Sequence, residues 1–472
     1  MAGRIKTFAL VSAGALAGVT LSLGISAWAF REPRSPIPLE EIRQLADVFG
    51  AVKANYVEPV DDKRLIQEAI AGMLNGLDPH SAYLDTDSFK ELQSSTQGEF
   101  GGLGIEVGAE DGAVRVIAPI DDTPAARAGI KAGDLIIKID DKLTRGLTLN
   151  EAVKLMRGEP NTAVVLTVVR KGEAQPLEVK LVRERIKVQS VKARMIEPGY
   201  GFIRISQFQE RTTEDLARHL REMTQAGPLK GLVLDLRNDP GGLLNAAVGV
   251  SAAFLPARTL VVSTDGRNEE ARRRFVAAPD DYQRGRNDDP LAKLPPEIKT
   301  VPLVVLVNSA SASASEIVAG ALQDSKRATI MGTQTFGKGS VQTIIPIRLD
   351  SDKPAAIKLT TARYYTPSGR SIQAKGITPD VLVEDTAEGN FAGLAVREAD
   401  LIKHLDNKTA PATPADHNAA TRTTQERRYE WGSAEDYQLK QAMNQLKGLP
   451  VEVAKARAAV AAAPAAVPAA TK

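Results

Sequence analysis

From Ile186 onward the chain alternates short aliphatic runs with longer helix-like stretches, and this order constrains the fold more than any other feature. Gly201 to Ile205 is followed by Thr213 to Gln225, Gly231 to Leu236 by Leu243 to Leu255, and Val301 to Val307 by Ala314 to Gln323. Each first member is short and rich in Val, Ile and Leu, as a buried strand is; each second member is long enough for several turns of helix. Strand-then-helix repetition forces crossover connections, and so an α/β layer with a largely parallel sheet and flanking helices over residues 185–385. Within it, Asp265 to Thr300 carries Arg272-Arg273-Arg274 and Asp288-Asp289 with little periodicity. The segment 265–300 therefore reads as a mobile charged excursion.

Upstream the period changes. Over residues 98–184, Gly104-Ile105-Glu106-Val107, Val114-Arg115-Val116-Ile117, Leu135 to Ile139, Val164 to Val169 and Leu177 to Val182 read as strands. A short helical piece at Thr123 to Ala128 and an amphipathic helix at Leu149 to Arg157 complete a small strand-rich module. Residues 36–97 form a helical region, with Leu39, Ile42, Leu45, Phe49 and Val52, then Ile66, Ile70, Met73 and Leu74, at three- and four-residue steps. These stripes are expected to pack on each other or on a second subunit. Pro79 in Leu77-Asp78-Pro79-His80-Ser81 ends the second helix.

The ends address the chain elsewhere. Arg4 and Lys6 precede an uncharged run from Phe8 to Phe30, a basic region before an apolar one. Residues 1–30 read as a signal peptide, with Ala27-Trp28-Ala29 as its cleavage site, or as a retained membrane anchor. Both place the bulk of the chain outside the cytoplasm, in the periplasm or a comparable space, with residues 8–30 as the inner-membrane anchor if uncleaved. Residues 386–448 form a C-terminal helical region whose late helix, Ala434 to Leu446, presents Leu439, Met443 and Leu446. Residues 449–472 form an Ala/Pro-rich tail expected to be disordered.

Composition narrows the chemistry. The absence of cysteine excludes disulfides, thiolate nucleophiles and zinc-thiolate sites. The four histidines are His80, His219, His404 and His417, with no metal-ligand spacing among them. Lys plus Arg at 60 against Asp plus Glu at 58, with aromatics at 4%, argues against nucleic acid as a partner. Catalysis is left to oxygen, amine or imidazole groups.

Three segments fit such chemistry. In Val307-Asn308-Ser309-Ala310-Ser311-Ala312-Ser313-Ala314-Ser315-Glu316-Ile317, aliphatic residues feed small ones and then a helix, so a serine can stand exposed at a strand-to-helix turn. Helix capping accounts for some of these serines, and composition does not say which is the nucleophile. Lys338, in Phe336-Gly337-Lys338-Gly339-Ser340-Val341-Gln342, is an amine that burial would keep neutral and basic. A lone Gly-Lys-Gly is otherwise an exposed or phosphate-binding loop, and Gly337 to Ser340 looks like the end of one. Leu234-Asp235-Leu236-Arg237-Asn238-Asp239-Pro240-Gly241-Gly242 ends a strand in a turn whose amides can stabilise an oxyanion.

Together with Tyr365 to Ile372, Gly376 to Asp380 and Asp78-Pro79-His80-Ser81, these motifs resemble the carboxy-terminal processing peptidases, or tail-specific proteases, across roughly Tyr56 to Asp385. The resemblance implies a crotonase- or Clp-protease-like core, no metal or cofactor, Ser313 as nucleophile, Lys338 as general base and Gln342 as the residue that orients the lysine. It matches the oxyanion hole to the amide of Ala314 with one from Gly241 or Gly242. The strand-rich module is similar to a PDZ domain: Phe100-Gly101-Gly102-Leu103-Gly104-Ile105 matches its carboxylate-binding loop, and Thr123 to Asp134 echoes its next conserved stretch. The amides of Gly102 to Gly104 would hold a terminal carboxylate, and Leu149, Val153 and Met156 would line the pocket for the last side chain. Arg157 is implied as a regulatory link to the protease core; a charge at a helix C-terminus is its plain reading.

The reading is an exported serine endopeptidase that selects protein substrates by exposed apolar C-termini, with a homodimer and a lipoprotein adaptor as further partners. A noncatalytic PDZ adaptor is the alternative, against which the joint presence of Ser313, Lys338 and Gln342 counts. A trypsin-like PDZ protease would need a histidine and an aspartate upstream of a Gly-x-Ser-Gly nucleophile, an order that this chain lacks.

Overall fold

The structure is a computed structural model and describes residues 38–452 except 111–112, 121, 174, 284, 286–287, 349–353, 388, 390–395 and 408–431. The signal or anchor expected over residues 1–30 and most of the expected tail lie outside the described residues. The chain divides into two units, residues 1–70 and 71–472. In the first, the expected helices are present at Leu39–Asn55 and, running on into the second unit, Asp62–Asn75. Leu39, Ile42 and Leu45 are 73%, 48% and 50% exposed while Phe49 and Val52 are half-buried, so the first part of the stripe expected to pack is open.

The second unit holds the expected α/β core. One sheet runs in the order Val191–Glu197, Tyr200–Ile205, Gly231–Asp235, Leu303–Val307, Thr329–Gly332, Val381–Leu382. Its first pairing is antiparallel and the other four are parallel. Every residue of Gly231–Asp235 and Leu303–Val307 is buried, which is why these strands read as continuous aliphatic runs. Leu232, Leu234, Leu303 and Val305 pack with the helices Thr212–Ala226, Leu244–Phe254 and Ala314–Asp324. The alternate residues Val233, Val304 and Leu306 face the C-terminal helix Tyr437–Leu446 through Leu439, Ala442 and Met443. That helix begins three residues later than expected because Asp436 caps it, accepting from the Leu439 amide at 3.1 Å.

A second, antiparallel sheet is built on the long strand Pro354–Tyr365, which pairs with Ala82–Leu84, Leu260–Gly266 and Ser340–Arg348. Leu260–Gly266 also pairs with Arg273–Val276, inside the segment expected to be a mobile excursion. That expectation is corrected: Phe275, Ala277, Tyr282 and Ile298 join the main core. Their apolar side chains are too widely spaced among charged ones to give a period, and Arg273 lies over the Phe275 ring at 4.7 Å. The PDZ-like module is an antiparallel sheet of Ile105–Glu110, Ala113–Pro119, Leu135–Ile139, Ala163–Val169 and Leu177–Val182, with the short strand Lys142–Leu143 at its side. The helix Leu149–Met156 carries a full capping box between Thr148 and Glu151.

A buried ionic cluster ties the turn after Asp235 to the C-terminal helix. Arg237, fully buried, donates to Asp235 from Nε at 2.8 Å and Nη2 at 2.9 Å, to Asp436 at 2.9 and 2.7 Å, and to Gln438 at 3.0 Å. Arg204 reaches the same Asp235 at 2.9 Å. These cations hold the Asp235 carboxyl below the usual carboxylate range against the opposing effect of burial. Arg237→Met leaves the buried Asp436 without its cation and Asp235 with Arg204 alone, so chemical denaturation is expected to show a loss of about 3–5 kcal/mol.

Candidate active site

Three connections leave the carboxyl ends of adjacent parallel strands and meet: the turn after Asp235, the serine run after Val307 and the loop after Gly332. The serine run is held to the first turn throughout. Asn308 Nδ2 donates to Asn238 Oδ1 at 2.6 Å while the Asn238 amide donates to Asn308 Oδ1 at 2.9 Å. Ser311 Oγ donates to the Leu236 carbonyl at 2.8 Å and Ser315 Oγ to the Asp239 carbonyl at 3.0 Å. Both of these serines are fully buried and spent on backbone carbonyls. Ser313 differs: it is half-buried, stands immediately before the helix Ala314–Asp324, and has φ 56° and ψ −111°, a strained conformation for a residue with a side chain.

The strain is held by a residue that sequence reasoning did not assign. Glu316, fully buried, accepts from the Ser313 amide at 2.8 Å and the Lys338 amide at 2.9 Å on Oε2, and from the Gly337 amide at 2.7 Å and Thr335 Oγ1 at 2.6 Å on Oε1. One carboxyl therefore fixes the backbone of both Ser313 and Lys338. Its burial pushes it up to about 7, against the effect of these four hydrogen bonds. The spacing Ser313-x-x-Glu316 is that of a capping box and was the available signal.

The Lys338 side chain is displaced toward neutrality. Burial holds its amine below the ordinary lysine range and Lys358 adds to this, while Glu398, Glu316 and Asp78 oppose it. Tyr364, also buried, donates its hydroxyl to the Lys338 carbonyl and has the Ser313 hydroxyl beside it. The phosphate-loop reading of this segment fails on fold: the loop joins the strand Thr329–Gly332 to the strand Ser340–Arg348, whereas a phosphate loop opens a helix. Gln342 departs from its expected place. Its amide donates to Ser340 Oγ at 3.0 Å and to Thr360 Oγ1 at 3.1 Å, because Thr360 is its direct cross-strand partner next to a bulge at Val341/Gln342.

Gly241 lies against Ser313: a Cβ there would stand 2.8 Å from the Ala314 nitrogen and 2.8 Å from Ser313 Cβ. Its φ of 97° independently requires glycine. Ala314 is the first helical residue, so its amide has no intrahelical acceptor. The Gly241 amide is already donated to Asp239 Oδ1 at 2.8 Å, and a substrate oxygen would compete with that carboxyl for it. The φ of Gly242 is 145°, and a Cβ there would strike the Phe208 carbonyl at 2.1 Å.

In the PDZ-like module, Gly101 and Gly102 are absorbed into the strand Glu99–Gly102, opposite Arg185 and Glu184. The loop that enters the strand Ile105–Glu110 is thus Leu103-Gly104, with Gly104 at φ 75°. Leu103 and Met156, 3% and 6% exposed, belong to the module's core rather than to a pocket. Four-residue spacing puts Met156 on the inner face with Ala152, and leaves Leu149, Val153 and Ile105 half-buried at the edge of that core. Arg157 Nη1 pairs with Glu91 at 3.2 Å and its guanidinium lies 4.8 Å from the Phe100 ring centre. Glu91 belongs to the helix Thr86–Gln97, whose Thr96 carbonyl accepts from the Glu210 amide of the core at 3.0 Å.

The chain matches peptidase family S41 over residues 199–383, the PDZ domain over 101–181, and the activating protease CtpB N-terminal domain over 26–88. It is 48% identical over 374 residues to a carboxy-terminal-processing protease of Bartonella bacilliformis, covering 78% of this chain and 81% of that one. It is 34% identical over 342 residues to the carboxy-terminal processing protease CtpA of Bacillus subtilis, covering 72% and 68%. A solved photosystem II D1 C-terminal processing protease is 30% identical, covers 72% of this chain and 92% of its own, and superposes with a TM-score of 0.41. The chain belongs to the carboxy-terminal processing proteases of peptidase family S41 and is a serine-type peptidase with a PDZ domain.

Asp239 gives this site a pH signature. Burial pushes its carboxyl from the usual 3.8 to about 8, and Oδ2 is buried without a hydrogen-bond partner. A raised carboxyl binds its proton more tightly in the folded state, so its contribution to stability declines as pH rises from about 3.8 to about 8. Asp239→Asn is expected to flatten this part of the decline, measured as the unfolding midpoint in a pH series. An unchanged slope would contradict the assignment.

Proposed function

We propose that this protein is an exported endopeptidase that captures the C-terminal tails of protein substrates on its PDZ domain and cleaves them with a Ser313–Lys338 dyad. The observation that carries the reading is the shared Glu316 carboxyl, which anchors the backbone of both residues on one oxygen and holds Ser313 in its strained pose. Neutral Lys338 takes the proton of the Ser313 hydroxyl as it attacks the peptide carbonyl, then returns it to the leaving amine; water releases the acyl-enzyme by the same route. The amides of Ala314 and of the Gly241–Gly242 turn receive the oxyanion. Gln342 acts through Ser340 and Thr360 on the strand that follows the lysine.

Leu103-Gly104 would take the terminal carboxylate and the edge of Ile105, Leu149 and Val153 the last apolar side chain. Arg157, through Glu91, is the route by which that event reaches the core. The open stripe of Leu39, Ile42 and Leu45 supports a homodimer formed through the N-terminal helix. The basic-then-apolar leader supports export to the periplasm, either cleaved or membrane-held, where a lipoprotein adaptor would deliver substrates. The PDZ adaptor reading gains nothing from the structure, since an adaptor has no use for a strained serine and a half-buried lysine anchored on one carboxyl.

The test uses an unstructured substrate with an apolar C-terminus, free or amidated. Ser313→Ala and Lys338→Ala are each expected to lower cleavage by about 1000-fold or more, and amidation to slow the native enzyme. Activity should rise with pH along a limb that begins below the ordinary lysine range and is absent in Lys338→Ala. Tail binding without cleavage of either form would favour the adaptor.

A further inference from the structure

The Asp78-Pro79-His80-Ser81 turn takes no part in the chemistry above, yet it is wired to it. Asp78 Oδ1 accepts from the His80 amide at 2.8 Å and the Ser81 amide at 2.9 Å, and Oδ2 from the Ser81 hydroxyl at 2.7 Å. The same Oδ1 accepts from Thr360 Oγ1 at 3.1 Å, the hydroxyl that receives Gln342. With its backbone so pinned, His80 sets Nε2 2.7 Å from Glu398 Oε2. Glu398 is fully buried. Its other oxygen accepts from Gln373 Nε2 at 2.9 Å, and Gln373 Oε1 accepts from the Gly339 amide at 3.0 Å. The Glu398 amide donates to the Phe336 carbonyl at 3.1 Å. Glu398 thus braces the lysine loop both before and after Lys338.

The charged groups facing Lys338 come from four elements: Lys358 on the long strand, Glu316 on the serine helix, Asp78 in the upstream turn and Glu398. A buried carboxylate near an amine favours the ammonium form, which cannot act as a base. Among the carboxyls, Glu398 has the largest effect of this sign on Lys338, and it alone has an imidazole in contact. A hydrogen bond or ion pair from the ring draws that negative charge toward His80 and away from the lysine.

We propose that His80 is a positioning residue of the peptidase: its ring screens the Glu398 carboxylate from Lys338 and, through Glu398 and Gln373, fixes the loop that carries the lysine. This rests on the Ser313–Lys338 reading. The test is the pH dependence of kcat/KM for the full chain, for His80→Ala, for Glu398→Gln and for the double variant, with Lys338→Ala alongside. His80→Ala unscreens Glu398, so the rising limb is expected to move up by about one pH unit, with activity recovering at high pH. The double variant, which has no carboxylate to unscreen, is expected to lose that upward shift. A uniform loss at every pH, or an unmoved limb, would overturn the proposal and leave His80 a structural residue. If His80→Ala does not fold, His80→Phe, a ring of similar size with no donor for Glu398, takes its place: its limb moves up if the proposal holds and stays in place if it does not. Full activity in Lys338→Ala would remove the dyad itself, a result distinguishable from failure of the His80 proposal alone.

Discussion

The carboxyl of Glu316 is the contact on which the site depends. It is fully buried, which by itself disfavours ionisation, and it survives because four donors converge on it. Those donors come from two separate connections, the serine turn and the lysine loop, which leave neighbouring strands and are bridged a second time by the Tyr364 hydroxyl. A buried donor left unpaired costs about 1–3 kcal/mol, so each of the three amides that Glu316 accepts has a stake in its position. The positive φ of Ser313 is affordable in that setting: the amide that would otherwise relax the turn is already bonded.

The sheet carries this arrangement because both of its faces are covered. Three helices pack on one face and the C-terminal helix on the other, and the Arg237 cluster joins that helix to the strand end from which the Asp239-Pro240-Gly241-Gly242 turn departs. The turn is therefore held from below by ions and from the side by Ser315 and Asn308. The neighbouring serines are used differently. Ser311 and Ser315 spend their hydroxyls on backbone carbonyls, whereas Ser313 is turned out beside Tyr364 and the lysine loop.

Much of this was legible in the sequence, for physical reasons that can be named. Strands buried on both faces must be aliphatic throughout, so Gly231–Asp235 and Leu303–Val307 announced a parallel sheet, and the helices between them followed. The capping-box spacing of Ser313 and Glu316 was visible, although a second use of that carboxyl, as acceptor for the lysine loop, was not. What escaped was set by packing at long range. His80 and Glu398 are 318 positions apart, and no local pattern joins them. The strand Arg273–Val276 hid among arginines because a single phenylalanine anchors it, and Met156 turned inward by helical geometry that its apolar character alone could not assign. The Gln342 amide followed its cross-strand partner Thr360, a register that only the paired sheet defines.

The most direct test of the central claim is the rate at which a serine-directed fluorophosphonate labels Ser313 in the native chain and in Glu316→Gln, with tail-peptide binding to the PDZ domain as the check on folding. An amide at 316 keeps one acceptor oxygen and turns an NH2 against the other pair of donors, either Ser313 and Lys338 or Gly337 and Thr335, so labelling is expected to fall by about 100-fold or more while peptide binding persists. Labelling of Glu316→Gln at the native rate would show that the serine and the lysine are held together by something other than this carboxyl.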